Sequence, residues 1–140
     1  MRVVHLSCNK TEFSQLIKKF SFMKTLIRLE NLGLFLLSIY LFSLLDFKWW
    51  WFPVLLLAPD LSMLGYLFGN KIGAILYNFF HHQLLAVIAY LLGIYLGEEW
   101  IQFSGIILLA HSAMDRIFGY GFKYFSGFKD THLGKIGHSN

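Results

Sequence analysis

The sequence predicts an all-α membrane protein, in which four transmembrane helices form a compact bundle with a short amphipathic or disordered N-terminal arm and a glycine-rich C-terminal cytoplasmic tail. The first observation behind this prediction is composition. Only 14% of the residues are charged, whereas soluble domains carry about 25%. The second is a series of four apolar runs, each close to the roughly 20 residues with which a helix crosses a membrane. We place these spans at 29–45, 50–69, 72–97 and 100–120.

Little of the chain lies outside the spans, so we expect one transmembrane domain over 26–137, with a cytoplasmic arm at 1–25 and a tail end at 138–140. In the arm, apolar residues recur at helical spacing beside Lys18 and Lys19. This pattern is typical of an amphipathic helix on a membrane surface, and a disordered arm is the alternative. The lone Cys8 excludes an internal disulfide and belongs to no metal-binding motif.

The positive charges predict the orientation in the membrane. Most of them lie before the first span, or at the end of the last span and beyond it: Arg2, Lys10, Lys18, Lys19, Lys24, Arg28, Arg116, Lys123, Lys129 and Lys135. Lys and Arg favour cytoplasmic loops, so we expect both termini to be cytoplasmic, which requires an even number of spans. Topology accounts for the net charge of +4. We therefore expect the lipid bilayer as a partner and no nucleic acid.

The first two spans carry few polar groups. Glu30 and Asn31 stand near the cytoplasmic end of the first span, where water solvates them. Trp49 to Trp51 anchor the outer end of the second span as an aromatic belt. Within that span, Pro59 removes a backbone hydrogen bond and predicts a kink. Asp60 then places a carboxylate deep in an apolar run, either as a site residue or as the cap of the restarted helix.

The third span contains a group of polar residues at helical spacing. Asn78 lies three residues before His81 and four before His82, so either histidine shares a face with the asparagine. Neighbouring residues point about 100° apart, so we expect only one histidine to face the centre of the bundle. A simple interhelical hydrogen bond is the structural alternative.

The fourth span presents His111 and Asp115 four residues apart, on one helical face. An ionisable pair on an apolar helix favours a functional site. With a rise of 1.5 Å per residue, Asp60, the third-span histidine and His111 all lie roughly 15 Å from a membrane surface. We therefore predict a divalent metal site, holding zinc, iron or manganese, with His111, Asp115, Asp60 and one of His81 or His82 as ligands.

Such a metal suggests hydrolysis of a lipid or of another membrane-borne ester or phosphoester. The residues predicted to carry catalysis are Asp60, His111 and Asp115, and those predicted to contact an anionic head group are Lys123, Lys129 and Arg116. Three alternatives remain open. One is a transporter or proton-coupled carrier, which in so short a chain needs a homo-oligomer. The others are haem ligation by His111 with His81 or His82, and a purely structural bundle.

Several motifs carry a family resemblance. They are RLENL at 28–32, APDLSMLGY at 58–66, YNFFHH at 77–82, AHSAMDR at 110–116, GYGFKY at 119–124 and GFKDTHLGKIG at 127–137. In these segments the chain resembles an uncharacterised family of small bacterial four-span membrane proteins, the domain of unknown function DUF4260. The resemblance implies a multi-pass protein of the bacterial cytoplasmic membrane and no assigned activity. The polar positions are also similar to those of membrane-bound metal-dependent hydrolases.

Overall fold

The computed structural model describes residues 10–137, which fold into five α-helices, one 3₁₀ helix and a small hairpin. Their bounds are α1 Lys10–Ser43, α2 Trp51–Leu55, the 3₁₀ helix Ala58–Phe68, α3 Asn70–Phe80, α4 Gln83–Leu96, α5 Glu99–Phe118, β1 Asp130–Thr131 and β2 Gly134–Lys135. The first nine residues of the arm, with Cys8, and the tail end at 138–140 lie outside the described residues.

Helix α1 joins the expected arm and the first span into one helix of 34 residues. The part of the arm that the structure describes is therefore neither disordered nor a separate short helix. At 1.5 Å per residue α1 is about 50 Å long, longer than a hydrocarbon core of roughly 30 Å. Residues 11–20, at its N-terminal end, are exposed. Farther along, the polar side chains of Asn31 and Ser38 donate to the carbonyls of Ile27 and Leu34 in the preceding turn.

Two helical stretches are long and apolar enough to cross a membrane, Thr11–Ser43 and Trp51–Phe68. A third is obtained if α3 and α4, which meet at a bend of 46°, form one span. The described residues thus support a helical protein with two to three candidate spans. The four-span arrangement stays a prediction, because α5, although 20 residues long, is not among the described helices that are apolar enough to cross a membrane.

Helix α5 lies at the centre of the fold, where eleven of its 20 residues are buried. It packs against α1 on one side and α4 on the other. Gly105 allows close approach to α4, since a Cβ atom there would lie 2.5 Å from the Tyr90 nitrogen and 2.8 Å from the Ala86 oxygen. Small residues at helix contacts are typical of membrane proteins. Helix α5 is thus shielded by its neighbours, which permits polar residues on an otherwise apolar helix.

The second predicted span is broken near Pro59, as the sequence indicates. Helix α2 ends at Leu55, and the chain resumes as a 3₁₀ helix of 11 residues. Such runs rarely exceed three or four residues, and they mark strained or functional segments. Gly69, at φ 110°, then turns the chain into α3, which packs against the 3₁₀ helix. The break, together with the packing of the 3₁₀ helix against α3, brings Asp60 close to the end of α3.

The glycine-rich tail folds back onto the helices. The side-chain amide of Asn78 donates to the Lys123 carbonyl at 2.9 Å, and the Lys123 amide donates to Asn78 Oδ1 at 2.7 Å. Farther along, β1 and β2 pair antiparallel, with Asp130 opposite Lys135. Asn78 therefore fastens the tail to α3 through two hydrogen bonds.

Candidate functional site

Two buried histidines from different helices meet at the centre of the site. His81 follows the last residue of α3, and His111 lies within α5. Their Nε2 atoms are 2.9 Å apart. The Nδ1 atom of His81 lies 2.8 Å from the Tyr77 carbonyl oxygen, and that of His111 lies 2.7 Å from the Leu56 carbonyl oxygen. A carbonyl only accepts hydrogen bonds, so each Nδ1 carries the proton. In the neutral rings, two Nε2 lone pairs therefore face each other.

The break at Pro59 explains why the Leu56 carbonyl is free to accept this bond. In an α-helix that carbonyl would bind the amide four residues later, which belongs to Asp60. In the 3₁₀ helix the Asp60 amide instead donates to the Leu57 carbonyl, at 3.2 Å. The Leu56 carbonyl is left without this helical partner, and His111 occupies it. The break at Pro59 thus determines that His111, in another helix, carries its proton on Nδ1.

Two carboxylates surround the imidazole pair. Asp60 Oδ1 lies 3.4 Å from His111 Nε2 and 3.7 Å from His81 Nε2. Asp115 Oδ2 lies 3.5 Å from His81 Nε2, and its Oδ1 lies 3.9 Å from His111 Nε2. Around a tetrahedral ion with bonds of about 2.0–2.1 Å, neighbouring ligand atoms are separated by roughly 3.3–3.4 Å. The separations of 3.4–3.7 Å are close to this value, whereas the two Nε2 atoms, at 2.9 Å, lie closer together.

Asp60 and Asp115 differ in their surroundings. Asp60 Oδ1 is buried and has no hydrogen-bond partner among the described residues. Asp115 Oδ2 accepts a hydrogen bond of 2.6 Å from the Tyr77 hydroxyl. The ligand atoms of Asp60, His81 and His111 all lie within 4.8 Å of one another, and this group does not include Asp115. The described residues thus contain a possible metal-binding triad with a second carboxylate beside it.

Comparison with known families assigns most of the described chain, from within α1 to the end of the tail hairpin. The model of a family described as Domain of unknown function (DUF4260) matches residues 24–136. The chain belongs to this family. Among curated proteins and among solved structures, nothing matches. The match confirms the resemblance read from the sequence, and the DUF4260 domain contains the complete His and Asp cluster.

The two adjacent histidines of the third predicted span have different environments in the DUF4260 domain. His81 is buried in the cluster, whereas His82 is exposed and its ring centre lies 5.5 Å from that of Phe122. The bend of 46° between α3 and α4 falls at these two residues. Of the two histidines left open by the sequence, only His81 therefore joins His111.

Asp60 does not cap the restarted helix. The residue before the 3₁₀ helix is Leu57, and no side chain caps its first amides. Asn78, which shares a helical face with a histidine by its spacing, binds the tail. Asn78 therefore has a structural role, whereas the Asp60 side chain is left to the cluster.

Tyr77 is a site residue that sequence reasoning did not select. Its ring stacks on that of His81 with centres 3.7 Å apart, and its hydroxyl orients Asp115. The spacing of four residues between Tyr77 and His81 was the available signal, since it puts both side chains on one helical face. Its significance depended on a partner in α5, which local spacing does not reveal.

Lys123 is brought to the cluster by the folded tail. Its side chain is only 3% exposed, and its Nζ lies 4.1 Å from the ring centre of Phe128 and 4.9 Å from that of Tyr77. Burial lowers the pKa of this ammonium from its ordinary value, while Asp115 and Asp60 act in the opposite direction. A cavity of about 290 Å³ joins Lys123 to both carboxylates.

The other two predicted head-group contacts lie elsewhere. Arg116 is 8% exposed and donates to the carbonyls of Ser112, at 2.9 Å, and His81, at 3.3 Å. Lys129 is exposed on the tail and does not line the cavity at the cluster. Of the three predicted contacts, only Lys123 lines the cavity at the cluster. Arg116 contacts the cluster through its hydrogen bond to the His81 carbonyl.

Proposed function

We propose that this protein is a membrane-embedded, metal-dependent hydrolase that acts on a lipid or another membrane-borne ester or phosphoester. The observation that carries the proposal is the pair of Nε2 lone pairs facing each other at 2.9 Å. Two lone pairs at this distance repel each other unless they share a cation, and an outward movement of the rings to a separation of about 3.3 Å would let both bind one tetrahedral metal ion. The buried, unpartnered Asp60 oxygen beside them has the same requirement.

The ligand set supports a catalytic metal rather than a structural one. Two imidazoles and a carboxylate leave one position open around a tetrahedral ion, as in catalytic zinc sites. Metal-bound histidines usually donate their second ring N–H to a carbonyl or carboxylate. His81 and His111 both do so, through Tyr77 and Leu56. Zinc, iron and manganese all accept these ligands.

The remaining groups have complementary tasks in hydrolysis. A divalent metal held by His81, His111 and Asp60 would polarise the substrate and lower the pKa of attacking water. Asp115, oriented by Tyr77, accepts the proton from that water as its oxygen bonds to the acyl carbon or phosphorus. The bond to the leaving alkoxide then breaks, and Asp115 returns the proton to it. The Lys123 ammonium attracts the negative charge that develops on the substrate.

The cavity beside the cluster suits a substrate with an apolar part. Besides Asp60, Asp115 and Lys123, it is lined by side chains that offer mostly apolar surface: Met63, Tyr77, Tyr120, Phe128 and Ile136. A combination of apolar walls and a few polar groups is typical of small-molecule sites. A membrane lipid presents both kinds of surface, which supports the bilayer as the source of the substrate.

Metal content tests this proposal. We expect the purified protein to retain a full equivalent of zinc, iron or manganese, measured by plasma mass spectrometry. His81→Ala and His111→Ala should each lose it. His82→Ala is the matched control, because it removes an adjacent but exposed histidine, and it should retain the metal. Equal, substoichiometric metal in all four proteins would contradict the proposal.

A proton-coupled carrier is the second candidate, since 2.9 Å is also the distance of a hydrogen bond between an imidazole and an imidazolium. In that case the positive charge between the rings is a proton, and Asp60 exchanges it with the cavity. A chain of this length would then act as a homo-oligomer. Proton flux in proteoliposomes that depends on Asp60 and persists in metal-free protein would favour the carrier over the hydrolase.

Haem ligation does not fit the histidine pair. A porphyrin bound by two histidines lies between them, and a separation of 2.9 Å between the Nε2 atoms leaves no space for the ring. The haem considered from the sequence is therefore not part of the proposed function.

A further inference from the structure

A second cavity, of about 440 Å³, lies between α1, the end of α5 and the tail hairpin. Its volume falls within the range of about 300–1,000 Å³ that is common for small-molecule sites. Four cationic side chains line it, Lys24, Arg28, Arg116 and Lys135. We call this cavity the basic pocket.

Within the described part of the chain, carboxylates balance little of the positive charge in the basic pocket. The residues that line it include no Asp or Glu. Within residues 10–137, only Lys135 among the four cations has a carboxylate within 4 Å, that of Asp130 at 3.8 Å. Lys24 and Arg28 are one helical turn apart, and like charges at this spacing destabilise a helix. A bound anion would remove this repulsion.

Two glycines border the charged groups of the basic pocket. Gly119 and Gly134, both at positive φ, lie on its wall. A Cβ atom at Gly119 would come within 3.7 Å of Arg28 Nη2, and one at Gly134 within 3.7 Å of Lys24 Nζ. The absence of these side chains leaves space next to both cations.

Arg116 connects the basic pocket to the His and Asp cluster. Its guanidinium is held by the carbonyls of Ser112 and His81 and lies 4.8 Å from the ring centre of Phe122. Tyr120 and Ile136 line both the basic pocket and the cavity at the cluster. The two cavities therefore share a wall, within reach of one amphiphilic molecule.

We propose that the basic pocket binds a phosphate-bearing anion, either the head group of an anionic lipid or a free phosphate. Guanidinium and ammonium groups bind phosphate through charge-assisted hydrogen bonds, and the apolar side chains of Phe20, Ile27 and Leu133 on the same walls can accommodate glycerol or acyl groups. This site does not depend on the metal. Together with the proposed hydrolase, it makes a phospholipid the expected substrate class.

The test compares two double variants of α1 in delipidated protein. Lys24→Gln with Arg28→Gln changes the basic pocket, whereas Lys18→Gln with Lys19→Gln removes the same charge from exposed positions outside it. Native mass spectrometry measures the binding of phosphatidylglycerol and, for comparison, of phosphatidylcholine. Calorimetry measures the binding of inorganic phosphate.

We expect the pocket variant to bind the anionic probe about 30-fold more weakly. It loses two cations, each of which contributes about five- to sixfold to the binding of an anionic surface. The exposed variant should change binding less than about twofold. Its two lysines lie outside the basic pocket and do not contact the anion. Lys135→Gln, on the tail, should weaken binding in the same direction. Preference for phosphatidylglycerol identifies a lipid head group, and equal binding of inorganic phosphate identifies a free phosphate. Either result supports the pocket.

Equal losses in the two double variants, or no preference for an anion in the unchanged protein, would overturn the proposal. Asp60→Asn separates it from the proposed hydrolase. This variant removes a ligand of the metal cluster and no residue of the basic pocket. Anion binding that persists in it would support the basic pocket even where metal binding or hydrolysis fails, and its loss there would count against an independent pocket.

Discussion

At the scale of single residues, the site is defined by which atoms carry protons. The Tyr77 and Leu56 carbonyls fix a proton on Nδ1 of each histidine, so both Nε2 atoms are free to bind a cation. The two carboxylates are distinguished in the same way. Asp115 has a hydrogen-bond donor in Tyr77, while the buried oxygen of Asp60 has none among the described residues. This difference supports the separate roles that we propose for them.

Asp60→Asn and Asp115→Asn should therefore give different results. Asp60 is a proposed ligand, so the amide variant should lose most of the bound metal. Asp115 is the proposed proton acceptor, so its variant should keep the metal and lose hydrolysis by about 10²–10⁴-fold, the usual contribution of a general base. Metal analysis and a lipid hydrolysis assay measure the two properties. Metal loss of the same size in both variants would contradict the division of roles.

Tyr77→Phe removes only the hydroxyl that donates to Asp115 at 2.6 Å. We expect activity to fall about 10–100-fold, as for other groups that orient site residues, with metal content unchanged. Tyr66→Phe, a tyrosine in the neighbouring 3₁₀ helix, is the control and should leave activity intact. A comparison of kcat with KM distinguishes this role from a structural one, because a group that only orients Asp115 should lower kcat and leave KM unchanged when it is removed. An unchanged kcat would argue against it.

At the scale of secondary-structure elements, the broken second span and the close packing of α5 create the site. The break at Pro59 frees the Leu56 carbonyl, and Gly105 lets α4 approach α5. Neither feature binds a ligand. Both determine where ligand-bearing side chains meet, so substitutions there should change the site without removing a ligand.

Pro59→Ala restores the missing amide and allows α2 to continue as an α-helix. The Asp60 amide would then compete with His111 for the Leu56 carbonyl. We expect metal affinity to drop about 10–100-fold, without loss of helix content measured by circular dichroism. Pro53→Ala in α2, away from the cluster, is the matched control. Unchanged metal affinity in Pro59→Ala would show that the break does not control the site.

Gly105→Ala should destabilise the contact between α4 and α5. The added methyl would lie 2.5 Å from a backbone nitrogen of α4, and overpacking of this kind costs about 1–3 kcal/mol. Gly33→Ala in α1 has open space around it and should be neutral or stabilising by about 0.5–1 kcal/mol. Thermal unfolding in detergent compares the two. Equal stability would contradict the close packing.

At the scale of the whole molecule, the tail closes the cluster from one end. The two hydrogen bonds between Asn78 and Lys123 join the tail to α3, and the Lys123 ammonium then reaches the cavity shared with Asp115. The tail also forms one wall of the basic pocket. Detachment of the tail should therefore open both cavities together.

Asn78→Ala should loosen the tail, because it leaves a buried backbone amide and carbonyl unpaired, at a cost of about 1–3 kcal/mol each. We expect trypsin to cleave after Lys123 faster than in the unchanged protein, as detected by mass spectrometry. Asn70→Ala, an exposed asparagine at the start of the same helix, is the control. Equal cleavage rates in the two variants would show that these bonds do not hold the tail.

The sequence alone determines the helical class, the family and the break at Pro59, because hydropathy, motifs and proline chemistry are local properties. It also selects Asp60, His111 and Asp115 as site candidates, since ionisable groups in apolar helices are costly.

Only the tertiary structure shows that His81, and not His82, meets His111. It also places Tyr77 and Lys123 at the cluster and Arg116 on the wall of the basic pocket. These outcomes depend on a 46° bend and on a folded tail, whose directions are set by contacts between residues far apart in the chain. Local spacing indicates which residues share a face. Packing of the helices decides what that face meets.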